Sequence, residues 1–445
     1  MKNYKSNYSA KWRLNQARHQ RVERKKRFLR KLPLLFAMTF GTSVIFMLVF
    51  SSGSWFFAAL SQTGQKPSFP EKPMAHASEK FSQEDLAEFL KDFINNSSAL
   101  VDQWVVENNG SRLTIRTTID VKLQNHIVRR LRRARTVQSA VVVLNPYDGR
   151  ILALASRDMH NPTQDLCLKA AFPAASLFKI ISAAAALETA GYTPDKRVSF
   201  VGSKHTLYKY QLKDHDRRSG RQTIFRKAFA ASNNSVFGKL GIYDLGQNAL
   251  TEYADKFLFN RPIPFDFPIA MSTIDVPAND FGLAEISSGF NKRTLISPLH
   301  AALLAAVVAN NGEMAAPWLV DTIYDHTDEI LYHARCRMLP PPISKTTSAE
   351  LKVLMQEAVI YGTGRTAFRK LRRKGKLKHL DLGAKTGTIN DKMDRYKYDW
   401  ITTYALTPDG ADGICISVLG VHGKKLGVRS VELAREIISY YFLSS

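Results

Sequence analysis

The chain has 445 residues, 45% of them hydrophobic, with 63 Lys+Arg against 39 Asp+Glu and a formal net charge of +24. That length and apolar share exclude a wholly disordered chain, and 24 Gly, 18 Pro and 3 Cys exclude a collagen-like fibre and a disulfide-built mini-protein. So positive a balance admits nucleic acid as a partner, unless the charge is concentrated where another role accounts for it.

It is concentrated. Residues 1–31 form a basic tail of twelve Lys/Arg with one acid, Glu23, and Leu32 to Gln65 then contains no Asp, Glu, Lys or Arg. About 20 apolar residues cross a bilayer. Residues 32–60 are therefore expected to be a transmembrane signal-anchor helix, with Trp55, Phe56 and Phe57 in the interfacial aromatic belt. The basic flank keeps the N-terminus cytoplasmic and places the rest outside. A cleavable signal peptide is the rival reading, but the basic region and apolar core are both too long for one, and no A-x-A site follows. Topology and contact with anionic headgroups account for the tail better than nucleic acid does.

Residues 61–110 read as a linker, marked by Gly64, Pro67, Pro70 and Pro73, with a short helical segment at Ser82–Val106 capped by Ser82. Residues 111–445 read as one domain. Ala140–Leu144 and Ile151–Ala155, joined by Asn145-Pro-Tyr-Asp-Gly149, predict a β-hairpin. Ala174–Thr189 is apolar almost all round, as in a helix at the centre of a domain. Helical stretches follow at Leu299–Ala309 and Ala349–Ile360, strands at Leu382–Thr388, Trp400–Leu406 and Gly413–Val421, and a last helix at Val431–Phe442. Strands at both ends with helices between predict one sheet built from the two ends of the domain. Cys167, Cys336 and Cys415 lack metal-ligand spacing. A Cys167–Cys336 bridge stays open, Cys415 reads as a buried strand residue, and no metal or cofactor is called for.

Three elements carry chemistry. Ser176 and Lys179 open the buried helix three residues apart, so both side chains emerge on one face. A serine hydroxyl needs a base, and a lysine made neutral by burial and neighbouring cations serves as one. Taken alone the pair is weak, since Ser-x-x-Lys arises by chance about twice in such a chain. Ser232-Asn233-Asn234 reads alone as a helix N-cap. Lys385-Thr386-Gly387-Thr388 ends a strand, either as an ordinary turn or as a site needing Gly for close backbone approach, Lys for an anion and hydroxyls for a carboxylate.

In this order the three elements resemble those shared by penicillin-binding protein transpeptidases and serine β-lactamases. Thr117–Gln124, the hairpin through Asn145–Ser156, Asn311–Pro317, Tyr361-Gly-Thr-Gly364 and Asp399–Tyr404 look like transpeptidase landmarks, so the resemblance spans about residues 110–445. It implies an α/β (α+β) fold, a mixed and mainly antiparallel sheet flanked by helices. It also implies attack by Ser176 on the penultimate D-Ala carbonyl of a peptidoglycan stem peptide, with Lys179 as base. Ser232 and Lys385 would pass a proton to the leaving amine, and Asn234 would bond Lys179 and the substrate amide. Thr386 and Thr388 would hold the terminal carboxylate, and the Ser176 and Thr388 N–H groups would form the oxyanion hole. β-Lactams would trap Ser176 as an ester.

No Glu-x-x-Leu-Asn segment follows Asn234, and Asn234 stands where class D β-lactamases have valine, so both β-lactamase readings recede. Some fifty residues between membrane and domain are too few for a glycosyltransferase or a full N-terminal pedestal, which leaves a monofunctional, class B-like member. A D,D-carboxypeptidase begins with the same acylation and stays open. So does a penicillin-binding scaffold or sensor, although every motif side chain is intact. Expected partners are stem peptides, β-lactams, the bilayer of the bacterial cytoplasmic membrane, and other cell-wall synthesis proteins. Arg365–Lys378, with eight Lys/Arg, reads as a solvated surface run; attraction to anionic wall polymer or headgroups is the alternative.

Overall fold

Trp104-Val105-Val106 and Leu113-Thr114-Ile115 are β-branched and aromatic runs, and they pair as an antiparallel hairpin. Strand β1 (Gln103–Asn108) lies against β2 (Ser111–Thr117), with Val106 opposite Leu113. This computed structural model describes Leu86, Leu90 and residues 100–444, apart from 109–110, 162–164 and 214–219. The expected basic tail and anchor lie outside the described residues, among which no helix is long and apolar enough to cross a membrane. The helix expected over Ser82–Val106 is corrected at its C-terminal end. Leu86 and Leu90 are helical, but Gln103 onward is strand. Apolar residues two and three apart fit both periods, and the Asn109-Gly110 hairpin signal in the sequence decides for the strand.

Helix α1 (Val121–Arg133) follows, its N-terminus capped by Asp120, which accepts from Leu123 N at 2.9 Å. The expected hairpin is β3 (Gln138–Leu144) against β4 (Ile151–Asp158). The expected central helix is α2 (Lys179–Thr189), entered through a tighter 3₁₀ turn at Ala175–Phe178. Short helices α3 (Phe225–Ala230), α4 (Asn234–Lys239) and α5 (Asp280–Ser288) come next, then the wholly buried α6 (Pro298–Ala309). Strands β5 (Val320–Tyr324) and β6 (Ile330–His333) join the first hairpin in a four-stranded sheet ordered β1-β2-β5-β6. Helix α7 (Lys345–Ile360) starts earlier than expected because Ser344 caps it, accepting from Thr347 N at 3.2 Å. Helix α8 (Arg365–Leu371) precedes three long strands, β7 (Asp381–Asn390), β8 (Lys397–Leu406) and β9 (Gly413–His422), and α9 (Ser430–Ser444) follows.

The five-stranded sheet has the order β7-β8-β9-β3-β4, antiparallel throughout. Its two halves come from the two ends of the domain, as expected. Strand alternation splits the core in two. Val142, Trp400, Tyr404 and Leu419 face α2, α6 and α7, while Val141, Val143, Ile401 and Ile416 face α1, α8 and α9. Helix α6 is apolar all round because it lies between layers. Thr402 Oγ1 and Ser417 Oγ donate to its Ala301 and Pro298 carbonyls, at 2.6 and 2.5 Å. All three cysteines are free, Cys167 and Cys415 buried and Cys336 exposed, so the bridge left open at the sequence level does not form.

Candidate active site

Three walls meet at the outer edge of β7. The 3₁₀ turn before α2 supplies the first. Its i, i+3 side chains eclipse, which aligns Ser176 with Lys179 more closely than an α-helix would. Lys179 is fully buried, and its Nζ lies 2.9 Å from Ser176 Oγ. It donates to Asn234 Oδ1 at 2.8 Å and also to the Ser288 carbonyl. Burial, with the neighbouring Lys385 charge, holds Lys179 well below the usual ammonium range. A neutral amine has two hydrogens and one lone pair. With the hydrogens given to Asn234 and Ser288, the lone pair faces the Ser176 hydroxyl, as a general base requires.

The second wall joins α3 to α4. Asn233 is the N-cap, its Oδ1 accepting from Val236 N at 3.2 Å, so the cap reading of this element holds for its middle residue. Its flanks turn into the site. Ser232 takes a left-handed φ of 52°, rare for a residue with a Cβ, and Asn234 begins α4 with its side chain on Lys179. The third wall is β7. Lys385 is 1% exposed and donates to Ser232 Oγ at 3.0 Å and to the Thr386 carbonyl at 2.8 Å. Burial brings it down to about 7. Thr386 is half-buried and Thr388 exposed on the same strand, and Gly387 lets the strand lie against Ser176. A Cβ there would stand 3.3 Å from Ser176 N. Strand β7 is an edge, which leaves alternate backbone N–H and C=O groups open to a ligand.

The structure therefore brings Ser176, Lys179, Ser232, Asn234, Lys385, Thr386, Gly387 and Thr388 to one place. It adds groups the sequence did not assign. Thr386 Oγ1 donates to Thr363 Oγ1 at 2.6 Å, which sets the Tyr361–Gly364 landmark against β7. The Ser288 carbonyl holds Lys179. Gly289, at φ 65°, backs the turn that bears Ser176 so closely that a Cβ would overlap the Ala175 carbonyl at 1.9 Å. Trp400, fully buried, donates from Nε1 to the Pro173 carbonyl at 2.9 Å and meets the Phe172 ring edge-on. That contact ties the approach to Ser176 to the strand beside β7.

Such an arrangement suits acyl transfer through a serine ester, with an amine base, a second buried cation and a hydroxyl-lined edge strand for a carboxylate. Residues 139–439 match the family described as penicillin binding protein transpeptidase domain. Peptidoglycan D,D-transpeptidase PbpA of Mycobacterium tuberculosis is 28% identical over 326 residues, which are 64% of this chain and 62% of that protein. Peptidoglycan D,D-transpeptidase MrdA of Haemophilus influenzae is 22% identical over 377 residues, 74% of this chain and 56% of that one. The chain thus spans less than two thirds of the length of these curated relatives. A solved structure of penicillin-binding protein A from M. tuberculosis, an imipenem acyl-enzyme complex, superposes with a TM-score of 0.61 at 25% identity, covering 74% of this chain and 79% of that one.

Proposed function

Since the chain belongs to the penicillin-binding protein transpeptidase family, we propose that it is a serine D,D-transpeptidase that cross-links peptidoglycan stem peptides. The observation that carries this is the Lys179 amine, buried and shared between Ser176 Oγ, Asn234 and the Ser288 carbonyl. The donor stem peptide lies along the open edge of β7, its terminal carboxylate among Thr386, Thr388 and Thr363 with the Lys385 charge behind. Ser176 Oγ attacks the penultimate D-Ala carbonyl while Lys179 takes its proton, and the Ser176 and Thr388 N–H groups stabilise the oxyanion. The C–N bond then breaks. Ser232, backed by Lys385, delivers a proton to the leaving nitrogen, and D-Ala departs. An amine of a second stem attacks the ester, Ser176 recovers its proton and a cross-link remains. A β-lactam enters the same path and stops at the ester.

The uncharged stretch at 32–65 after a basic tail supports a single-pass anchor in the bacterial cytoplasmic membrane, with the N-terminus cytoplasmic and the catalytic domain outside. The test is fluorescent-penicillin labelling of the full chain in neutral detergent, beside Ser176→Ala and Lys179→Ala. Covalent labelling is expected for the wild type, none for Ser176→Ala, and at least about a hundredfold slower labelling for Lys179→Ala. Incubation of a donor peptide with and without an amine acceptor then separates cross-linking from simple D-Ala release. A folded wild type that takes no label overturns the reading.

A further inference from the structure

The run Arg365–Lys378 has a definite place in the fold. It forms α8 and the 3₁₀ turn Gly375–His379, with Phe368, Leu371 and Leu377 buried in the second core and all eight cations exposed. Among the described residues none of these eight charges meets a carboxylate. The acids on the neighbouring α9 are already engaged, Glu432 by Arg435 and Glu436 by Arg130 and Arg435.

The charge extends further. Helix α9 packs against α8 on one side and α1 on the other. Helix α1 contributes exposed Lys122, Arg129, Arg132 and Arg133 and contains no acid. A cavity of about 420 Å³ lies between the two elements, lined by His126, Arg130 and Lys374 together with Glu436, Tyr440 and Leu443, so the exposed cations of α1 and of the run flank it on either side. At the run's other end, Arg365 stands two residues past Thr363, whose hydroxyl meets Thr386. Like charges gathered this way repel one another, and a polyanion relieves that repulsion.

A bilayer surface and a soluble polyanion would both answer the charge. Membrane contact interleaves exposed apolar side chains with the cations. Within the run itself no large apolar side chain is exposed, Tyr361 before it and Leu443 beside the cavity being the exposed apolar residues at its borders, and the run begins at the rim of the site, next to Thr363. We propose that this face is an electrostatic docking track for the polymeric substrate, a glycan strand bearing several stem peptides that each end in a free carboxylate. The proposal rests on the transpeptidase reading. The track holds the strand near β7 while individual stems exchange at Ser176.

The test is co-sedimentation of the full chain, in neutral detergent, with purified insoluble peptidoglycan. It is run beside a variant carrying Arg369→Gln, Lys370→Gln, Arg372→Gln, Arg373→Gln and Lys374→Gln. At low salt the variant is expected to be retained about tenfold less, and wild-type retention falls to the variant's level by about 0.5 M salt. Fluorescent penicillin labels both at the same rate, because none of the five residues touches the reacting groups. Loss of labelling in the wild type would strike the transpeptidase reading, whereas equal retention of wild type and variant overturns the track. So does a loss seen on phosphatidylglycerol vesicles but absent on peptidoglycan. Should the variant fail to fold, competition by polyglutamate against wild-type retention decides: displacement at low salt supports the track, and salt-insensitive retention that polyglutamate leaves untouched overturns it.

Discussion

Lys179 and Lys385 are both buried at one cleft, yet the proposed chemistry asks opposite charges of them. Lys179 has to be neutral to accept the Ser176 proton, and Lys385 has to be charged to attract a carboxylate and support Ser232. Lys179, pushed well below the ammonium range by burial and by Lys385, meets the first demand. Lys385 at about 7 meets the second only on the acid side of that value. The second-order acylation rate with a carboxylate-bearing penicillin should therefore fall above about pH 7 as Lys385 discharges. In Lys385→Arg the descending limb should vanish, because a guanidinium stays charged. Stopped-flow labelling from pH 5 to 9 checks this, and a limb that persists in Lys385→Arg would assign it to another group. The side chains of both lysines were legible in the sequence because each belongs to a motif. The Ser288 carbonyl was not, since a main-chain oxygen has no sequence signature. Thr363 lay inside a recognised landmark, but its meeting with Thr386 depends on how α7 ends against β7.

At the scale of elements, the turn that bears Ser176 is held from outside. Gly289 follows α5 in the left-handed region and lies directly on the Ala175 carbonyl, and Trp400 holds the Pro173 carbonyl. Gly289→Ala adds both a Cβ clash and a disfavoured backbone conformation. It should slow acylation at least about tenfold and cost about 1–3 kcal/mol of stability, measured by labelling rate and urea unfolding. Labelling at the wild-type rate would show that the turn keeps its shape without that support. Elements with strong local signals were legible: the β3–β4 hairpin from its two apolar runs and Asn-Pro-Tyr-Asp-Gly turn, α6 and α7 from their helix-length apolar stretches, and β7 to β9 from apolar runs. Strand β1 was not, because Trp104-Val105-Val106 continues an apolar spacing that also fits a helix. Nor was most of the stretch from 190 to 296, apart from the cap at Asn233, since its short elements owe their shape to tertiary contacts rather than period.

For the molecule as a whole, the five-stranded sheet locks the two ends of the domain together, and Asp399 fastens that lock. It stands on β8 opposite Thr388 of β7 and is 1% exposed. It accepts from Arg429 Nε at 3.1 Å and Nη2 at 3.2 Å and from Ser430 N at 2.8 Å, pinning the start of α9. Burial opposes its charge, but the nearby His422 ring and the bonds from Arg429 and Ser430 prevail and set its pKa at about 2. A depressed carboxyl contributes stability that is present above its unfolded pKa of about 4 and is lost as pH falls toward 2. Asp399→Asn should therefore be less stable than the wild type by about 2 kcal/mol at pH 7, the gap narrowing at pH 3 and below. Guanidinium titrations at the two pH values check this, and a gap independent of pH would mean the carboxylate charge is not what holds α9.

The same sheet order sets a timetable for the newborn chain. Strand β3 has β4 on one side from the start, but its other partner is β9, from which it is separated by every helix of the α2 to α8 series. At synthesis rates of about 5–20 residues per second, that flank of β3 waits on the order of ten to fifty seconds for its mate, a bare strand edge open to wrong neighbours. Ser176 and Lys179 emerge well before Lys385 and its supporting strands, so a truncated or stalled chain carries the two side chains without the cleft that surrounds them. Chaperone demand should then peak late in translation, and the proposed activity should appear only when the closing strands arrive.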